Sequence, residues 1–214
     1  MDADQRLAIA LRLQLEERDA AIAAGARRVG WKLGVGESER IGAGPVLGHL
    51  TSATQIEAGG SVRVGAYAAV RADVEIAVRF ARDVDLDNDV RDAIGGYASA
   101  LEIVDLGEAD DPPEAIVATN IFHRAFALGP ARDDLPAGLS GGLVVNGELR
   151  ASAPAADLTE RLQRAAQILA TLGERLRAGD WIITGSIVQE PVGPGDEATA
   201  DIGPLGAVTL ELAE

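Results

Sequence analysis

The chain has 214 residues, 47% of them hydrophobic and 25% charged, a balance that fills a sizeable core and excludes disorder as the main state. A formal net charge of -15, from 34 Asp and Glu against 19 Lys and Arg, repels phosphate backbones and anionic membrane surfaces and argues against a nucleic-acid binder. Cysteine is absent, which removes disulfides, thiolate nucleophiles and Cys-based zinc or iron–sulfur sites.

No apolar run approaches the ~20 residues that span a bilayer. The opening segment MDADQRLAIALRLQLEERD is too charged for a signal peptide, so a cytoplasmic protein is expected, with no membrane partner. In residues 4–24, Leu7, Leu11, Leu15 and Ile22 fall at helical spacings, and Gly25 is a plausible stop. Residues 27–33 read as a short strand. Residues 34–48 hold five glycines and a proline and read as a mobile loop, suited to act as a lid. Strand alternation runs through residues 62–80 and is strongest over 70–78. A short helix is expected at 87–94, a buried strand at 97–106 and a turn at 110–113, with Pro113 opening a helix to Ala118. Residues 122–128 suggest a strand. In residues 143–149, Asn146-Gly147 supplies the two positive φ angles of a type I′ hairpin. Residues 158–172 form the strongest helical pattern, capped by Asp157 or Thr159 and ended by Gly173. From Trp181 onward come short strands between Gly/Pro turns. No repeat or linker divides the chain, so one α+β domain over residues 1–214 is expected, with its N-terminal helix in 1–24 and a mixed, β-rich core.

One lysine, Lys32, stands among 18 arginines. A coding bias toward Arg explains the arginines, and a lysine that survives such a bias marks a position where a compact ammonium differs in effect from a guanidinium fork. Asp73 and Glu75 are two apart in an apolar strand and so share a face. Either that face is outward and the acids pair with Arg71 or Arg79, or it gathers a cation. Glu102 lies inside the apolar run 100–104, where a charge is costly unless paired or metal-bound. Together these three carboxylates offer hard oxygen ligands suited to Mg²⁺ or Mn²⁺. His49 and His123 lack the spacing of a zinc site. The glycine patterns 34–36 and 42–44 fit no nucleotide-binding fingerprint, and Ser186 is not in a nucleophile elbow.

Several segments follow one another in a familiar order: Val29-Gly30-Trp31-Lys32-Leu33-Gly34, Arg71-Ala72-Asp73-Val74-Glu75-Ile76-Ala77, Ala100-Leu101-Glu102-Ile103-Val104-Asp105, Val145-Asn146-Gly147-Glu148, and Gly179-Asp180-Trp181-Ile182-Ile183-Thr184-Gly185-Ser186. In that order they resemble the 2-keto-4-pentenoate hydratases, within the fumarylacetoacetate hydrolase superfamily. The resemblance implies a fumarylacetoacetate hydrolase C-terminal-like fold flanked by helices. It implies Mg²⁺ (or Mn²⁺) held by Asp73, Glu75 and Glu102, catalytic roles for Lys32 and Glu75, and substrate contacts at Asn120 and Ser186. The implied reaction is hydration of a 2-hydroxydienoate or 2-oxo-enoic acid to a 4-hydroxy-2-oxo acid, as in aromatic-compound degradation, by a homo-oligomer. The alternatives are a decarboxylase or acylpyruvate-type C–C hydrolase of the same superfamily and, in another class, a catalytically diverged assembly partner. Asp73 stands where the family has Glu, Ala53 where it has an acid, and Thr119-Asn120-Ile121-Phe122 where it has Asp-Asn-Ala-Ser. The family's Gly-His-Pro before the long helix is also replaced, around Ala156-Asp157-Leu158.

Overall fold

The computed structural model describes residues 3–35, 46–107 and 111–214. In chain order these form α1 (Ala3–Ala23), β1 (Arg28–Gly34), β2 (Val46–Thr51), β3 (Ser61–Arg63), β4 (Val70–Phe80), a 3-10 turn (Val90–Ala93), β5 (Ile94–Asp105), α2 (Pro113–Ala118), β6 (His123–Leu128), β7 (Ser140–Val145), β8 (Glu148–Pro154), α3 (Leu158–Thr171), β9 (Trp181–Ile183), β10 (Val188–Pro191), β11 (Glu197–Asp201), a second 3-10 turn (Gly203–Leu205) and β12 (Ala207–Ala213). The α+β class expected from the sequence is the class observed. The glycine-rich stretch expected to act as a lid falls largely on residues 36–45, outside the described residues, and so does Asp110 of the expected turn.

Among the described residues, one sheet runs β2-β1-β9-β4-β5-β6, with β10 also pairing with β4, and the other runs β3-β12-β11-β7-β8. The sheets are mixed: β1 with β9 and β12 with β3 are parallel, and the other named pairs are antiparallel. The larger sheet curls until the segment after β2 meets β6 at the far edge. Ile56 N–H donates to Phe126 O at 2.8 Å, Phe126 N–H donates to Thr54 O at 3.0 Å, and Gln55 bridges to Phe126.

Alternation along β4 and β5 divides their side chains between two environments. Val74, Ile76 and Val78, with Leu101 and Ile103, join Leu143, Val145, Ala198, Ala200 and Leu210 of the second sheet in the main core. The opposite face points into the curl, where Leu50, Ala77, Ala98, Ala100, Phe126 and Ile183 form a small separate cluster. Three of those six are alanines, and small side chains allow a tight curl. The polar residues of the same face collect beyond this cluster.

Four sequence expectations are corrected. The stretch 62–80 is not one strand: Tyr67 N–H bonds back to Val64 O, and the chain passes from β3 in one sheet to β4 in the other. The expected helix at 87–94 shrinks to one 3-10 turn, capped by Asp89 accepting from Arg91 N–H, because Ile94 already enters β5. The strand expected from 122 starts at His123, since Phe122 has left-handed φ. Helix α1 forms as expected, but among its described side chains the buried ones are Ala10, Gln14 and Arg18 rather than the leucines. It docks through polar groups: Gln14 Nε2 donates to Leu47 O (3.2 Å) and Val117 O (2.7 Å), and Arg18 Nη2 meets Glu174 Oε1 at 2.6 Å. The hairpin and the long helix match their patterns: Asn146 and Gly147 have φ 53° and 81°, and Asp157 caps α3 by accepting from Thr159 N–H. No helix of the described residues is long and apolar enough to cross a membrane.

Candidate active site

Strand register assembles the acidic cluster. Asp73 on β4 lies directly opposite Glu102 on β5, and Glu75 follows two residues along the same face. All three carboxylates are buried, and one oxygen from each lies within 4.8 Å of the others. The outward polar face considered from sequence is therefore not what forms. Arg79, offered there as a partner for the acids, donates instead to Gly95 O and lies over the Trp181 ring.

Lys32 reaches this cluster from β1, across the short strand β9. Its Nζ is 2.5 Å from Glu102 Oε1 and donates to Ile121 O at 3.0 Å. Gly48 on β2 makes room for it: a Cβ there would sit 2.6 Å from both Lys32 Cγ and Asn120 Oδ1. Glu75 Oε2 accepts from Gly185 N–H at 2.7 Å, where the chain leaves β9 with φ 93°. His123 completes the group. Its Nδ1 is 2.6 Å from the same Glu102 oxygen, and its Nε2 is 2.9 Å from Thr54 Oγ1.

The electrostatics of the cluster are uneven. Burial pushes the Glu75 carboxyl well above the usual range, and the neighbouring Glu102 and Asp73 charges push it further. Burial also acts on Glu102, but Lys32 and His123 outweigh it and hold that carboxyl down to about 2. Burial lowers the pKa of His123 despite its bond to Glu102, and takes His49 down to about 4. One ammonium beside three packed carboxylates leaves an excess of negative charge, a donor set that fits a hard divalent cation.

Asn120, Ile121 and Phe122 are three consecutive residues with left-handed φ of 63°, 55° and 65°. The turn is fixed to β2 at two points: His49 N–H donates to Asn120 Oδ1 at 2.8 Å, and Asn120 Nδ2 donates to His49 O at 3.0 Å. The Asn120 amide is thus engaged by backbone at both ends, and it does not line the cavity beside the carboxylates. That cavity is walled by Lys32, the three acids, Ser186 and Gln189, with Leu33, Val35, Val104, Ile121 and Phe122 as apolar sides. Ser186 Oγ donates to Val188 O at 2.8 Å. His123, Thr54 and Gly185 were not singled out from sequence as members of this site. The available signal for His123 was a second histidine beside an apolar strand, which by itself carries little information. Ala53, where the resembling family has an acid, immediately precedes the Thr54 that meets His123.

Residues 32–213 match the family described as "Fumarylacetoacetate (FAA) hydrolase C-terminal", and the chain belongs to that family. Among solved structures it is similar to 4-oxalocrotonate decarboxylase from Pseudomonas putida G7, complexed with magnesium and adipate, at 25% identity and a TM-score of 0.84 over 96% of this chain and 86% of that one. The same enzyme complexed with calcium and acetate matches with a TM-score of 0.83, at 25% identity over 96% and 85% of the two chains. Fumarylpyruvate hydrolase from Pseudomonas aeruginosa, in complex with Mn²⁺ and pyruvate, shares the fold at 17% identity and a TM-score of 0.67, over 87% of this chain and 89% of that one. No curated protein matches the sequence.

Proposed function

We propose that this chain is a divalent-metal-dependent lyase acting on a small 2-oxo-enoic acid or its 2-hydroxydienoate form, hydrating it to a 4-hydroxy-2-oxo acid in the cytoplasm as part of aromatic-compound breakdown. The observation that carries the reading is the buried set Asp73, Glu75 and Glu102 with Lys32 Nζ against Glu102. The three acids would hold Mg²⁺ or Mn²⁺, and the bound ion would supply Lewis-acid stabilisation of negative charge on a substrate oxygen. Lys32 presents an ammonium at the cavity wall, where it stabilises an enolate oxygen or carries a proton to the carbon skeleton. Glu75, anchored by Gly185 N–H, faces the same space as ligand and charge partner. Leu33, Val104, Ile121 and Phe122 keep water from most of the carbon chain. Asn120 would act through the turn it pins, and Ser186, on the cavity wall, would contact the substrate. The active form is a homo-oligomer.

Decarboxylation of a related 2-oxo acid is the second reading, favoured by the likeness to 4-oxalocrotonate decarboxylase over nearly the whole chain. Incubation with a panel of 2-oxo and 2-hydroxydienoic acids, with and without Mg²⁺, separates the readings by product mass. Hydration adds water, decarboxylation loses carbon dioxide, and hydrolysis cleaves the chain. No Mg²⁺-dependent product from any member would return the chain to the role of an assembly partner.

A further inference from the structure

We propose that His123 is the positioning residue of the metal site, holding Glu102 by one oxygen so that the other is presented to the cation. The inference rests on the metal-site reading above. Glu102 Oε1 receives two donors, Lys32 Nζ at 2.5 Å and His123 Nδ1 at 2.6 Å, which leaves Oε2 for an ion shared with Asp73 and Glu75. The two donors differ in kind. Lys32 is a point charge on a flexible stem, and among the described residues its second bond, to Ile121 O, orients it. His123 is a planar donor held at both edges and along its face.

Its orientation follows from the chemistry of its partners. An ionised carboxylate can only accept, so Nδ1 carries the hydrogen. The other nitrogen of the neutral ring then accepts from the Thr54 hydroxyl at 2.9 Å. The ring is buried and packs near Phe126, with centroids 5.8 Å apart and planes inclined at 43°. These contacts come from β5, from β6 and from the segment after β2 that closes the curl. A ligating carboxylate fixed by a directional donor outside the ion's own shell binds metal more tightly than one free to rotate. Glu75 is treated in the same way, with Gly185 N–H on its Oε2.

The test is Mn²⁺ titration of the purified protein by calorimetry, with the electron paramagnetic resonance spectrum of bound Mn²⁺ as a second readout. His123→Leu keeps bulk and removes the donor; it is expected to weaken Mn²⁺ binding by about 10- to 100-fold, the usual scale for losing such a partner. His123→Asn returns an N–H near the Nδ1 position and should restore most of the affinity and the wild-type spectrum. Thr54→Val should shift affinity in the same direction by less. Wild-type Mn²⁺ affinity in a folded His123→Leu would overturn the proposal, and so would an Asn variant as weak as the Leu variant, since packing alone would then explain the residue. If His123→Leu fails to fold, unchanged affinity in Thr54→Val overturns it instead. Wild-type protein that binds no Mn²⁺ removes the metal-site reading along with this inference, a result distinct from intact wild-type binding with an indifferent His123.

Discussion

Lys32 is where composition and geometry meet in one side chain. The only lysine in the sequence is buried, and its Nζ contacts both an acid of the cluster and the carbonyl of a strained turn. A guanidinium is larger and cannot give up its proton, so Lys32→Arg and Lys32→Met are both expected to lower kcat by roughly 10²-fold or more, the scale of a lost acid–base group. Near-normal turnover in Lys32→Arg would reduce the residue to a salt-bridge partner. Glu75→Gln and Glu102→Gln each neutralise a carboxylate proposed as a metal ligand. Calorimetry should show Mg²⁺ affinity reduced by about tenfold or more in both, and unchanged affinity in both would dissolve the site. These residues were legible in the sequence because each breaks a local pattern: a lysine among arginines, or acids inside apolar strands. His123 breaks no such pattern. It becomes significant only because β6 brings it beside Glu102, a contact between residues 21 apart that no spacing rule encodes.

At the scale of elements, the turn at residues 120–122 is the least legible piece. Asn120 tolerates a left-handed φ, but nothing in Ile121-Phe122 signals one, and each of those two residues held there costs roughly 1–2 kcal/mol. The compensation is tertiary and invisible in local sequence: the Asn120 amide bonds both backbone groups of His49, and the Ile121 carbonyl accepts from Lys32. Asn120→Ala would leave those buried groups unpaired, at a cost of about 1–3 kcal/mol. The expected outcome is a lower melting temperature together with a raised KM, because Ile121 and Phe122 form a cavity wall. A drop in melting temperature with unchanged kinetics would show that the turn does not shape the site. Helix α1 misled for a related reason. Its leucines suggested an apolar stripe, yet Gln14 and Arg18 face inward because the surface beneath offers carbonyls and carboxylates. Where local signals governed the outcome, as at Asn146-Gly147 and Asp157, sequence and structure agree.

For the molecule as a whole, two expectations follow. The first concerns assembly. Ile9 and Leu13 are 46% and 48% exposed and lie with Ala115 and Ala118 in an apolar groove between α1 and α2, with Arg6 and Glu114 on its rim 3.2 Å apart. A rim carrying both charges can pair with itself across a two-fold axis, so a second copy is the natural cover. Sedimentation should report an oligomer for the wild type and a smaller species for Leu13→Glu; a wild-type monomer would count against this. The second concerns acid. Burial would raise the carboxyls of Glu174 and Asp105, but Arg18 and Arg28 hold the first below its usual range, while the amides of Ala69 and Gly107 together with Arg124 hold the second there. Folded values below the unfolded ones stabilise the protein above the ordinary carboxylate range, and that contribution fades as pH falls through the folded values. Glu174→Gln should therefore be less stable than wild type near neutrality and equal to it in strong acid, as read by denaturant unfolding at both pH values. A difference that persists in strong acid would assign the effect to packing.

The order of strands also carries a consequence for synthesis. In the larger sheet, β9 (Trp181–Ile183) lies between β1, which bears Lys32, and β4, which bears Asp73 and Glu75. Every acid of the cluster, the lysine and His123 leave the ribosome before that wedge is made. A nascent chain that stops short of it holds the lysine, the three acids and His123, without the strand that sets the ammonium at its distance from the carboxylates. The cluster is completed late, by a strand that supplies none of its charged groups, so a chain released before β9 is expected to lack the assembled cluster.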